Sequence, residues 1–162
     1  MRVWPALGRL TRAPFRFFLA IAALSTIIPS VIDAVRGQVR VFRTKPFTRF
    51  ALREGISDAA LCEAVARAER GLVDADLGRG VIKQRLARPG QGKSGAFRSI
   101  ILFRRGARAF FVFGFAKNAR DNIAAAELQA FRRLADEVLG YDDASLALAM
   151  ANGTMTEVMC NA

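Results

Sequence analysis

At 162 residues, with 52% hydrophobic and 24% charged residues, the chain suffices for one compact domain with a real core and would be crowded as two. Its net charge of +11 and isoelectric point near 11.3 favour an anionic partner, nucleic acid or acidic protein, without choosing between them. The absence of histidine excludes Ser-His-Asp and Cys-His chemistry and the commonest zinc ligand, and with Cys62 and Cys160 as the only cysteines neither a disulfide framework nor a Cys/His metal cluster is expected, so a reducing cytoplasm fits.

Residues 1–38 do not match the rest. Arg2, Arg9, Arg12 and Arg16 precede the apolar run "FFLAIAALSTIIPSVI", which Pro29 interrupts. A basic start, a short apolar core and a break describe a targeting or anchor segment better than a standard spanning helix, which needs roughly 20 apolar residues. The readings are a start placed too far upstream, a membrane anchor through residues 15–32, or secretion. Residues 39–162 are expected to form the globular domain.

From Val39 the pattern changes. "VRVFRTK" alternates apolar and basic residues as a half-buried strand does; Pro46 then opens a short helix whose Phe47, Phe50 and Leu52 are expected on one face, with Gly55 as its stop. Ser57 is a good N-cap for "DAALCEAVARAERG", where Leu61, Ala64, Val65 and Ala68 make an apolar stripe before Gly71. "GVIKQRLA", "AFRSIILFR" and "RAFFVFGFAK" read as three strands of an antiparallel meander, the first two separated by the Gly-rich basic loop "RPGQGKSG". "NIAAAELQAFRRLADEVLG" returns to helical spacing, followed by a shorter Ala/Leu helix and a tail.

Charge is distributed unevenly over these elements. Between Leu77 and Arg120 stand eleven cations and no acid, whereas from Asp121 onward seven acids face only Arg132 and Arg133. Strand residues two apart share a face, so Lys83 and Arg85 project together, and Arg98 on the next strand lies near them if the hairpin register permits. "GKS" at 92–94 is not a phosphate loop, because Ala87 replaces the required first glycine and a strand follows instead of a helix. Lys93 can still reach a phosphate from its loop. In "FGFAKN", Phe113 reads as core, while Phe115 is a candidate to stack on an unstacked base, with Lys117 at the strand end.

These segments, "VIKQRLARPGQGKSGAFRSIILF" and "FFVFGFAKNARDNI", resemble the RelE/ParE toxin superfamily, close to its HigB-like branch, over about residues 39–160. The resemblance implies an α+β domain, helices packed on one face of a small antiparallel sheet, here preceded by an apolar N-terminal extension. It implies a type II toxin acting as a ribosome-dependent messenger RNA endonuclease, without metal or cofactor, restrained by an acidic or helix-turn-helix antitoxin encoded next door. Arg98, matching the family's strand arginine, would clamp the scissile phosphate. Lys83 and Arg85 would stabilise developing charge. Lys83 is the candidate base, crowded by Arg85, Arg88 and Arg98 in a way that disfavours a further positive charge; Lys117 is second. Arg88, Lys93 and Phe115 would hold RNA. Relatives often carry a Tyr or His at the end of the last strand; here the only tyrosine, Tyr141, falls near a helix end, so no general acid is assigned. The alternatives are a same-fold toxin that blocks a protein such as DNA gyrase, and a non-catalytic nucleic-acid-binding module.

Overall fold

The computed structural model describes residues 39–87, 96–120 and 122–160. The extension expected over 1–38 and the loop residues Arg88 and Lys93 lie outside the described residues.

The elements follow local chemistry closely. After strand β1 (Arg40–Thr44), helix α1 (Lys45–Glu54) begins with Pro46 in its first turn, where a missing N–H costs nothing, and ends at Gly55 in a left-handed conformation with φ 66°. Its buried face is Phe47, Phe50 and Ala51, spaced i, i+3, i+4. Leu52, expected on that face, is exposed, because five residues beyond Phe47 carry it well off the stripe. Helix α2 (Asp58–Glu69) starts where the Ser57 hydroxyl accepts a hydrogen bond from the Ala60 N–H at 3.3 Å, and it buries the expected Leu61, Ala64, Val65 and Ala68.

Strands β2 (Ala75–Asp76), β3 (Val81–Leu86), β4 (Phe97–Arg104) and β5 (Arg108–Ala116) lead to helices α3 (Ala125–Val138) and α4 (Asp143–Ala151) and a last strand, β6 (Met155–Val158). The sheet order is β2-β3-β4-β5-β1-β6. The expected meander is β3-β4-β5; β1 adds to β5 in parallel, and β6 pairs antiparallel with β1. The tail is therefore a sheet edge.

The class is the α+β one expected. Helices, however, cover both faces of the sheet, where one covered face was expected. Ile82, Leu86, Phe97, Ile101 and Phe111 pack with α1 and α2, while Val81, Ile100, Leu102, Phe110 and Val112 pack with α3 and α4. The cause is visible in the strands themselves: runs such as "IILF" and "AFFV" are apolar at consecutive positions, so neither face could be left wet. Gly114 is required by this packing, since a Cβ there would stand 2.2 Å from the Phe50 ring.

The expectation of no disulfide is overturned. Cys62 of α2 and Cys160, just beyond β6, are joined in a disulfide with their Cα atoms 5.6 Å apart. They are 98 residues apart in sequence, and only the pairing of β6 on β1 brings the tail beside α2. No local pattern encodes that proximity.

Candidate nucleic-acid interface

The face of the sheet that carries α3 and α4 is not covered to its end. Register shows what the open part presents. Arg85 on β3 lies directly opposite Arg98 on β4, and Arg98 lies opposite Phe115 on β5. One step along, Lys83 is opposite Ile100, which is opposite Phe113. Directly opposed residues share a face, so Lys83, Arg85 and Arg98 are brought together as their spacing predicts. A register shift between Ile100 and Ile101 places Val112 and Phe113 of β5 on this same side, a bulge that turns the strand end toward the cations.

The burial of the two aromatic residues is the reverse of that expected. Phe115 is only 6% exposed and packs in the core, whereas Phe113 is half-buried at its edge. Phe113 sits 5.8 Å from the Phe131 ring of α3 and 5.9 Å from Phe115, with the Arg120 guanidinium 5.8 Å from its centroid. Lys117 is exposed in the turn after β5, at the margin of the cationic row.

Each cation is held differently. Lys83 Nζ donates to Asn122 Oδ1 at 3.4 Å, which points the amine along the sheet. The Arg98 guanidinium is half-buried, with Nη1 3.5 Å from the Phe97 carbonyl oxygen. Arg85 has a carboxylate beside it: Asp74 accepts from the Arg85 backbone N–H and lies 4.0 Å from its Nε. Arg120 is fully engaged, pairing bidentately with Glu127 and donating Nε to the Asn122 carbonyl at 2.6 Å. It forms a wall and not a clamp. Arg120 and Glu127 strengthen each other's charge, holding the Glu127 carboxyl below its usual range and the Arg120 guanidinium above its own.

Beneath this row lies a residue the sequence did not single out. Gln84 points to the opposite face, is fully buried, and spends its amide on three partners: Oε1 accepts from the Asp74 N–H at 3.1 Å, and Nε2 donates to the Ala64 and Leu72 carbonyls at 3.3 and 3.0 Å. Ser99 Oγ donates to the Gln84 carbonyl at 3.0 Å. This polar knot pins the strand between Lys83 and Arg85. Asp74, Gln84 and Arg120 were missed because their roles depend on tertiary partners; the position of Gln84 between two cations of a strand was the only available signal.

Among the described residues no group of His, Cys, Asp and Glu converges as a metal site requires. Tyr141 lies at the other end of β5, its carbonyl accepting from Arg108 and its hydroxyl donating to Glu137 at 2.9 Å.

The geometry defines a small α+β domain that presents converging cations from a sheet rather than from a helix or loop. Residues 39–158 match the family model described as RelE toxin of the RelE/RelB toxin-antitoxin system. The chain belongs to the RelE toxin family. It is accordingly a toxin of a toxin–antitoxin pair, with a cognate antitoxin as its partner. Comparison with curated proteins gives no match. No helix among the described residues is long and apolar enough to cross a membrane.

Proposed function

We infer that this toxin is a metal-independent endoribonuclease of HigB-like type that cuts messenger RNA on the ribosome, in the cytoplasm, until an acidic or helix-turn-helix antitoxin covers it. The observation that carries the reading is the Arg85–Arg98 pair. Like charges directly opposed across a ladder are destabilising; Asp74, 4.0 Å from Arg85 Nε, offsets that repulsion at Arg85, and an anion that meets both guanidinium groups would relieve it further. A bridging phosphate is such an anion.

In this mechanism Arg98 clamps the scissile phosphate through its planar fork, and Arg85 neutralises the charge that grows on the phosphate oxygens. Lys83 takes the proton of the 2′-hydroxyl, its amine aimed by Asn122. Phe113 offers a ring for a neighbouring base, and Lys117 draws the backbone in from the rim. Arg88 and Lys93 extend the same positive path in sequence.

Induction in cells tests the reading. Growth should stop with the unmodified chain and continue with Arg98→Ala, and primer extension should find new 5′ ends in translated messages only in the first case. Intact messages beside supercoiling defects would overturn the nuclease in favour of a gyrase-blocking toxin.

A further inference from the structure

The Cys62–Cys160 bridge has no part in the chemistry above, and three features of its setting point the same way. First, both residues are only half-buried, and they line an open groove of about 290 Å³ together with Val39, Val41, Val65 and Glu69. A small thiol has room to approach. Second, the bridge closes on the end of an edge strand. β6 spans four residues and is otherwise held by its ladder to β1, by buried Met155 and Val158, and by the Arg40–Glu157 ion pair at 2.8 Å. Third, disulfides inside a reducing cytoplasm are chiefly transient or redox-sensing.

We propose that Cys62–Cys160 is a thiol–disulfide exchange site whose redox state controls how firmly the C-terminal strand is held on the sheet. The reactant is a thiol of the glutathione class or a protein dithiol. Its thiolate bonds to one sulfur as a mixed disulfide and expels the other, which takes up a proton; a second thiolate then bonds to the sulfur of the first, forming the external disulfide and expelling the remaining cysteine, which is protonated in turn. Two thiols give up two electrons and two protons, and Cys62 and Cys160 receive them. Oxidised, the tail is tied covalently to α2. Reduced, β6 depends on four ladder positions, two apolar side chains and one partly exposed ion pair, and it opens readily, baring the outer edge of β1. The compartment argument rests on the ribosome-directed reading; the geometry of groove, bridge and strand stands without it.

The test uses the full chain and no activity assay. The protein is equilibrated in glutathione buffers of stepped ratio, alkylated with iodoacetamide and analysed by peptide mass, and hydrogen exchange is followed over 153–160. Cys62 and Cys160 should be protected together in oxidising buffer and alkylated together in reducing buffer. Exchange of the β6 amides should speed up at least about tenfold on reduction while α1 stays unchanged. Cys160→Ser should exchange like the reduced protein and ignore the buffer. Alkylation of both cysteines in oxidising buffer would overturn the site, and equal β6 exchange in both states would overturn the control. Neither result would bear on RNA cleavage, just as a failure to cut RNA would leave these outcomes intact.

Discussion

Gln84 carries no charge, yet it fixes the two neighbours that do. Its amide satisfies one buried backbone carbonyl, that of Ala64, and two part-buried groups, the Asp74 N–H and the Leu72 carbonyl, and Gln84→Leu would remove all three bonds. Such a loss costs about 1–3 kcal/mol for an unsatisfied buried group. Urea unfolding should show a midpoint shift of that size, whereas Arg98→Ala should unfold as the unmodified protein does. Arg108 draws a second contrast. It stands at the hairpin edge, and its guanidinium holds the Tyr141 carbonyl and Asp143, tying β5 to the α3–α4 turn. Arg108→Ala should therefore lower the melting temperature by a few degrees while leaving RNA cutting by the folded protein unchanged. Strand periodicity made Lys83, Arg85 and Arg98 legible, since period two needs only neighbours. It could not rank Phe113 against Phe115, because the two stand two residues apart on one face and only tertiary packing decides which is the more buried.

Two helices carry their acid sensitivity at their starts. Glu127 reaches back to the Ala124 N–H at 2.7 Å and pairs with Arg120, while Asp142 caps α4 by accepting from the Ser145 N–H at 2.8 Å. Both carboxyls are held below their ordinary range, Glu127 first by Arg120 and Asp142 first by the Ser145 N–H. A carboxyl depressed by folding stabilises the native state above its unfolded value and loses that contribution as pH falls through its folded one. Melting temperature should thus hold steady down to about pH 4 and fall below it. Asp142→Asn keeps a good cap without the charge, and it should flatten that part of the profile; an unchanged acid slope would remove Asp142 from the account. Helix stops, caps and stripes were readable because each is local. The short β2 and the β6 edge were not, since two and four residues gain strand geometry only from the neighbours they pair with.

For the whole molecule, the disulfide joins residues 98 apart and so closes most of the described chain. By restricting the unfolded chain, a bridge of that span contributes at the upper end of the usual range, about 4–5 kcal/mol. Reduction should lower the melting temperature by roughly 10 °C or more, as calorimetry with and without dithiothreitol would show. The class of fold was legible in the order of helical and period-two segments. Helices on both faces were not foreseen, although the doubly apolar strands carried that information. The boundary at Val39, where the family match also begins, leads to the expectation that residues 39–162 suffice for toxicity.

The central claim is that the Lys83–Arg85–Arg98 face cuts RNA. Purified protein added to ribosomes programmed with a defined message, followed by mapping of 5′ ends, tests it most directly. The account predicts discrete cuts with the unmodified chain, a loss of about 100-fold or more in cutting rate with Lys83→Ala or Arg98→Ala at unchanged melting temperature, and full cutting by folded Arg108→Ala. Cutting by Arg98→Ala and Lys83→Ala at the rate of the unmodified protein would contradict it.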